Sequence, residues 1–179
     1  MADINTALAA SKDAIDQLMV AGEQTATAWT APRAPGKWSP SQIVEHVARS
    51  LEESANMAAG RSSKFGKLPA VVHPIGRLLF YWVLRKAVFP KAKANKAFNP
   101  ASGPATPAEG RVRLETAHQK FEEACRQTAS HGERMRTTTM GAVPVEDYVR
   151  FMELHTRHHG KQIADVLQQD RMTHDDSAY

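Results

Sequence analysis

Apolar residues recur at helical spacing in four long stretches of the chain. The first stretch, over residues 1–22, carries its apolar residues on one face: Ile4, Leu8, Ile15, Leu18 and Met19. The second begins at Ser39, which forms a capping-box pattern with Gln42 around a proline at the first helical position, and it ends at Gly60. Its stripe consists of Ile43, Val47, Ser50, Leu51, Ser54 and Ala58. Both stretches predict amphipathic helices.

The third stretch begins with Thr106-Pro107-Ala108-Glu109, which repeats the capping-box pattern, and it runs to about Ser130. Its mainly apolar face is predicted to consist of Val112, Ala117, Phe121, Ala124, Cys125 and Thr128. We expect the Cys125 thiol to be unreactive, because burial raises the pKa of a thiol. His118 and His131 have no partner at ligand spacing, so we expect both on the surface.

The fourth stretch, residues 148–167, contains the segment HTRHHGKQI. At about 100° per residue, one narrow face of this helix carries Tyr148, Met152, His155, His159, Gln162, Ile163 and Val166. His155 and His159 lie one turn apart on that face, so both imidazoles can reach one ion. His158 lies about 80° away from the stripe and is a poorer candidate.

An apolar-face histidine taken alone is more often a packed core or interface residue than a metal ligand. The paired spacing favours a metal site, but such a site needs at least a third protein ligand from elsewhere in the chain. His46 flanks the apolar stripe of the second helix. From its position on that helix alone, it is better interpreted as a boundary histidine with its polar edge in water.

Four long helices without a convincing alternating strand predict an all-α four-helix bundle, with only a turn over residues 137–144. A chain of 179 residues with 42% hydrophobic content suits a single domain, 1–179. The one cysteine excludes an internal disulfide framework and suits a reducing compartment. Residues 1–22 do not resemble an export signal, and no apolar run reaches the length of a membrane span, so we expect a cytoplasmic protein.

A basic insert, about residues 61–105, separates the second and third long helices. Asp and Glu are missing from residues 54 to 108, whereas nine basic residues occur there: Arg61, Lys64, Lys67, Arg77, Arg85, Lys86, Lys91, Lys93 and Lys96. The formal net charge is +4, so the rest of the chain carries −5 and the basic pI comes from this insert. Its segment PIGRLLFYWVLRKAVFP predicts an extra short helix that stops at Pro90, and KAKANKAFNPASGPATP predicts a mobile loop.

Three interpretations of the extra helix compete: a core helix or homodimer contact, an amphipathic anchor at a membrane surface, and a nucleic-acid patch. We rank them in that order. The basic residues cluster at the ends of the helix, where lysine and arginine commonly snorkel. No recognition-helix or RNA-binding motif accompanies them, so we expect no specific nucleic-acid partner.

The segments KWSPSQIVEHVARSLE, MGAVPVE and HTRHHGKQI resemble the DinB-like superfamily of four-helix-bundle proteins, which includes YfiT-like metal-dependent hydrolases. The resemblance spans about residues 38–167 apart from the basic insert. It implies that a histidine of the second helix and the two histidines of the fourth bind a divalent metal, commonly nickel or zinc. In this chain these residues are His46, His155 and His159, so the resemblance reverses the boundary interpretation of His46.

Three neutral imidazoles leave a position open for water or substrate and suit zinc, nickel, cobalt or iron better than magnesium. Each ligand needs an acceptor for its other ring N–H, and Glu45, Glu153 and Gln162 are the nearest candidates in sequence.

The resemblance also implies activation of a low-molecular-weight thiol, such as mycothiol or bacillithiol, or of water, for transfer to or hydrolysis of a small-molecule substrate. The sequence identifies no general base and no catalytic residue. The alternative is a non-catalytic, stress-related metal-binding or interaction module that uses the basic aromatic helix as its contact surface.

Overall fold

The residues that the structure describes form five α-helices, one short β-hairpin and two short 3-10 helices, Ala26–Ala28 and Ala70–Val72. The computed structural model describes residues 3–32, 34–90 and 98–175, and for 26 and 168–175 the backbone alone. In chain order the elements are α1 (Ile4–Gln24), α2 (Pro40–Ala58), α3 (His73–Lys86), α4 (Pro107–Ser130), β1 (Met135–Thr137), β2 (Gly141–Val143) and α5 (Val145–Asp175). The four long helices are α1, α2, α4 and α5, and α3 is the extra helix of the basic insert.

The long helices pack in two pairs, with α1 along α5 and α2 along α4. Each contributes the apolar stripe of an amphipathic helix to a shared core, because burying those faces removes apolar surface from water. The largest core residues with almost no solvent exposure are Leu8, Ile15, Leu18, Met19, Ile43, Leu51, Phe80, Leu114, Phe121, Met135 and Ile163. The all-α bundle predicted from the sequence is confirmed. None of the helices in the described ranges is long and apolar enough to cross a membrane.

The two predicted helix starts differ in detail. At α2, Gln42 N donates to Ser39 Oγ over 3.2 Å and Ser39 N donates to Gln42 Oε1 over 3.0 Å, which completes the capping box. At α4, Glu109 N donates to Thr106 Oγ1 over 3.2 Å. The Glu109 carboxylate, however, accepts a hydrogen bond from Ala105 N at 2.9 Å rather than from Thr106 N. The reciprocal hydrogen bond of this capping box therefore comes from the residue before the N-cap.

Residues 135–143 form an antiparallel hairpin where only a turn was predicted. Met135 pairs with Val143 and Thr137 with Gly141, and Gly141 adopts a φ of 71°, in the left-handed region that favours glycine. Thr137 Oγ1 accepts from Met140 N over 2.9 Å and donates to the Gly141 carbonyl over 3.0 Å. Each strand has three residues, which is too short for an alternating pattern to be visible in the sequence.

Two expectations for α4 are wrong. Val112 is 64% exposed, and Leu114 takes its place in the core. His118 is only 2% exposed, although it was expected on the surface. Since α4 packs against α1 as well as α2, the buried part of its circumference is wider than a single apolar stripe indicates. His131, by contrast, lies on the surface as expected.

The extra helix α3 ends four residues before Pro90, because Ala87 turns into the left-handed region at a φ of 52° and its N–H caps the Val83 carbonyl. Only one narrow face of α3 packs against the bundle. Phe80 and Val83 are buried, and the Phe80 ring centroid lies 5.3 Å from that of Phe151 on α5. Trp82 is 42% exposed, so Phe80 and not Trp82 is the aromatic residue that joins α3 to the bundle.

The loop that follows α3 is anchored at its end nearest α4. Lys91, Lys93 and Lys96 lie outside the described residues. Phe98 is 3% exposed and stacks on Phe65 with ring centroids 4.5 Å apart. The Pro104 carbonyl accepts hydrogen bonds from Trp29 Nε1 at 2.8 Å and from Ser41 Oγ at 2.7 Å. Residues 98–105 thus form a loop, as predicted, and hydrogen bonds join this loop to Trp29 and to α2.

Candidate metal centre

The three sequence-predicted histidines meet between α2 and α5. His46 comes from α2, and His155 and His159 come from successive turns of α5. Nε2 of His155 lies 3.4 Å from Nε2 of His46 and 3.2 Å from Nε2 of His159. The ligand atoms of all three residues lie within 4.8 Å of one another. The fold thus brings together residues that are far apart in sequence.

The two Nε2 separations from His155 fit a tetrahedral metal site. Zinc binds imidazole nitrogen at about 2.0–2.1 Å, and the tetrahedral angle then puts two ligand nitrogens about 3.3–3.4 Å apart. The two measured Nε2 separations, 3.4 and 3.2 Å, are close to that value. In the described part of the chain, no other group of three or more histidine, cysteine, aspartate or glutamate residues could hold an ion.

His46 is held by the end of the basic insert. Its Nδ1 lies 2.9 Å from the Phe98 carbonyl oxygen, which can only accept, so Nδ1 carries the proton. The lone pair is then on Nε2, the atom that faces the other two histidines. The Trp38 ring packs against His46, with ring centroids 4.7 Å apart, and its centroid lies 6.3 Å from that of His159. The loop that was predicted to be mobile therefore orients a candidate ligand.

His159 is held within its own helix. Its Nδ1 lies 2.9 Å from Gln162 Oε1, which accepts the ring proton and leaves the Nε2 lone pair facing the site. The amide nitrogen of Gln162 donates to His158 Nε2 over 3.1 Å. His158 therefore lies outside the cluster, as its position on the helix predicted, and acts on the site only through Gln162.

His155 is the least constrained of the three. Its Nδ1 is buried and has no hydrogen-bond partner among the described residues. The Phe89 ring stands edge-on to it, with centroids 5.7 Å apart. Among the described residues no oxygen acceptor holds a proton on its Nδ1, whereas oxygen acceptors hold the Nδ1 protons of His46 and His159.

Burial keeps the cluster neutral. Burial is the main cause of the lowered pKa of His46, of the pKa of His155 well below its usual range, and of the pKa of His159 near 3. Repulsion from the neighbouring imidazoles adds to the effect on His155 and His159. Unprotonated imidazole is the form that binds a metal ion.

Of the three acceptors suggested by the sequence, Gln162 alone serves the site. Glu45 accepts from Arg49 Nε at 2.6 Å and from Arg113 Nε at 3.1 Å. Glu153 accepts from Arg157 Nε at 2.8 Å. These carboxylates support the packing of the helices. The acceptor that sequence reasoning missed is the Phe98 carbonyl, and the only signal for it was an isolated aromatic residue in an otherwise polar loop.

A largely apolar cavity of about 560 Å³ opens beside His155. Its walls come from α2, α3, α5, the β1–β2 turn and the segment before α3. Cys125 is not part of it. That thiol is fully buried in the core, and burial raises its pKa to about 12, so the expectation that it is no nucleophile agrees with its environment.

Fold and site together define a helical-bundle protein with three neutral histidines placed so that they could hold one metal ion. The family model described as the DinB superfamily matches residues 8–163, a range that contains all three histidines. The chain belongs to the DinB superfamily. Among curated proteins and among solved structures, none matches the chain significantly.

Proposed function

We propose that this protein binds one divalent transition metal, nickel or zinc, on His46, His155 and His159 and activates a low-molecular-weight thiol or water against a small-molecule substrate. The observation that carries the proposal is the convergence of three imidazoles, with His155 Nε2 at spacings from His46 Nε2 and His159 Nε2 that suit tetrahedral coordination. Superfamily membership adds support, because the match covers the helices that bear all three residues. A structural zinc site normally has four protein ligands, and the described residues supply three.

A metal ion at this position would supply Lewis-acid chemistry that lowers the pKa of a thiol or water. The role of the chain is to keep the site dicationic, because three neutral imidazoles contribute no negative charge. An anion such as thiolate is then favoured as the remaining ligand. In a transfer reaction the thiol proton leaves to solvent, sulfur forms a bond to the electrophilic carbon, and the leaving group departs with the electron pair of the broken bond.

Cobalt substitution tests the proposal directly. The cobalt-loaded protein is titrated with mycothiol, bacillithiol, glutathione and cysteine, and we expect one of them to produce a sulfur-to-metal charge-transfer band in the visible spectrum. The alcohol analogue of cysteine, serine, is the control and should leave that region unchanged. A protein that takes up no cobalt, nickel or zinc contradicts metal binding. A loaded protein whose spectrum responds to no thiol contradicts thiol activation.

A second candidate function is docking to an anionic membrane surface through α3. Val71, Ile75, Leu78 and Trp82 form an outward apolar stripe at helical spacing, and they are 82%, 70%, 72% and 42% exposed. Arg85 and Lys86 lie in the last turn of the same helix. Apolar residues flanked by basic ones are typical of a helix that lies in the interface of an anionic bilayer.

The charge of the insert favours a lipid surface over a second copy of the chain. A symmetric homodimer built on this stripe would bring the basic residues of both inserts into one interface, where their charges repel. The insert contains no acidic residue to offset that repulsion. The homodimer expected from the sequence stays a prediction, which sedimentation velocity tests.

Vesicle cosedimentation distinguishes membrane docking through α3 from homodimer formation through the same stripe. We expect salt-sensitive binding to vesicles of phosphatidylcholine with phosphatidylserine, and none to phosphatidylcholine alone. The double variant Ile75→Ser, Leu78→Ser should lose binding. Val112→Ser, at a 64% exposed valine on α4, is the matched control and should bind normally. Vesicle binding that survives in the double variant, or a dimer that the double variant dissociates, contradicts membrane docking.

A further inference from the structure

We infer that the apolar cavity beside His155 binds the uncharged apolar body of the substrate, an alkyl- or aryl-substituted electrophile. This inference rests on the proposed function for the word substrate, but the cavity and its chemistry are independent of any metal. The volume of about 560 Å³ lies within the roughly 300–1,000 Å³ typical of small-molecule sites. It is large enough for an aromatic or branched aliphatic group.

The residues that line the cavity disfavour a charged ligand. No aspartate, glutamate or arginine contributes to it among the described residues, and its one lysine, Lys67, is exposed to solvent. A cationic ligand would lose its hydration without gaining a carboxylate partner. Four phenylalanines offer ring faces and edges to an aromatic guest: Phe65, Phe80, Phe89 and Phe151.

Two polar atoms of lining residues, Thr138 Oγ1 and His155 Nδ1, have no hydrogen-bond partner among the described residues, whereas the Tyr148 hydroxyl is engaged. The Tyr148 hydroxyl lies 3.1 Å from Ser54 Oγ, which in turn donates to the Ser50 carbonyl over 2.7 Å. Burial is also the main cause of the raised pKa of Tyr148, so this hydroxyl stays neutral. A guest is therefore recognised mainly by apolar contact and shape, with Thr138 Oγ1 and His155 Nδ1 as the unpaired polar atoms of the lining residues.

The position of His155 determines how a guest molecule lies relative to the metal centre. It lines the cavity, whereas His46 and His159 do not. Because its Nε2 lies within 3.4 Å of both other histidines, a guest that fills the cavity places one end next to the metal centre. The reacting carbon belongs at that end, and the apolar body extends toward α3.

The insert supplies one wall, and close contacts hold it in place. A Cβ at Gly76 would lie 2.4 Å from the Thr139 carbonyl oxygen, so only glycine allows α3 to approach the hairpin this closely. Arg77 adds hydrogen bonds from Nε and Nη2 to the Met140 carbonyl at 3.3 and 3.2 Å. Leu68 N donates to the Thr138 carbonyl over 2.9 Å. The cavity is thus shaped by a segment that lies outside the four long helices.

The test uses the neutral fluorescent probe N-phenyl-1-naphthylamine on the full chain, both metal-free and loaded with nickel. We expect saturable binding to both forms, with displacement by 1-ethylnaphthalene but not by the cationic 1-naphthylmethylammonium. Leu79→Trp, which adds bulk at a lining position, should weaken binding by about tenfold or more. Val112→Trp is the control, since Val112 is 64% exposed on α4 and outside the lining, and it should bind normally.

The outcomes separate this inference from the proposed function. If nickel is taken up but the probe binds neither form, or if Val112→Trp and Leu79→Trp weaken binding equally, the cavity assignment is overturned while the metal site stands. Equal displacement by the cation and the neutral compound overturns the selection against charge. If the probe binds as expected and no metal is taken up, the cavity assignment holds and the proposed metal-dependent function fails.

Discussion

Gln162 accepts a hydrogen bond from Nδ1 of His159 over 2.9 Å, from a position three residues further along the same helix. This contact selects the His159 tautomer whose Nε2 lone pair faces His155 and His46. The other end of the amide is held by His158, so the orientation of Gln162 is itself fixed. A short piece of α5 therefore carries two candidate ligands and the group that orients one of them.

Replacing Gln162 should weaken metal binding without removing it. We expect Gln162→Leu to lower nickel affinity by about 10- to 100-fold, the usual effect of losing a hydrogen bond to a metal-ligating histidine. Competition with a chromophoric chelator measures the change. Gln127→Leu, at an exposed glutamine on α4, is the control. Unchanged affinity in Gln162→Leu would show that the His159 tautomer needs no fixing.

The three histidines should be individually necessary for metal binding. We expect His46→Ala, His155→Ala and His159→Ala each to abolish stoichiometric metal content, measured by elemental analysis after loading and gel filtration. His158→Ala should weaken binding only modestly, because His158 contacts the site through Gln162. His131→Ala, on the surface, should have no effect. A loss at His158 equal to that at the other three would mean that the ligand set is wrong.

The attachment of α3 should depend on Phe80 far more than on Trp82. Phe80 is 1% exposed and Trp82 is 42% exposed. Phe80→Ala should lower the free energy of unfolding by about 3 to 5 kcal/mol, the range for truncating a buried aromatic residue. Urea denaturation of Trp82→Ala should give a clearly smaller loss. Equal losses would place Trp82 in a contact that the single chain lacks, such as a dimer interface.

Cys125 should be inert in the folded protein. Burial raises the pKa of its thiol to about 12, and a thiol reagent reacts with the thiolate. At mildly alkaline pH we expect 5,5′-dithiobis(2-nitrobenzoate) to label the native protein very slowly and the guanidinium-unfolded protein within seconds. Rapid labelling of the native chain would mean that α4 opens locally on the time scale of the reaction.

Local patterns in the sequence determined most of the helices and two of the three candidate ligands, His155 and His159. The Ser39 capping box depends on residues three apart, and it forms as predicted. The stripe of α5 depends only on helical periodicity, which places His155 and His159 on one face wherever the helix packs. Periodicity predicted burial wrongly where a helix packs against more than one other helix. His118 is buried because α4 contacts both α1 and α2.

The tertiary structure decided everything that joins distant segments. His46 and the Phe98 carbonyl are 52 positions apart, and His46 and His155 are 109 apart, so no local pattern relates them. The cavity beside His155 likewise depends on how closely α3 approaches the hairpin at Gly76. Helix formation and capping are set by neighbours along the chain, whereas a site and its walls are set by which faces pack together, and that packing is a property of the whole fold.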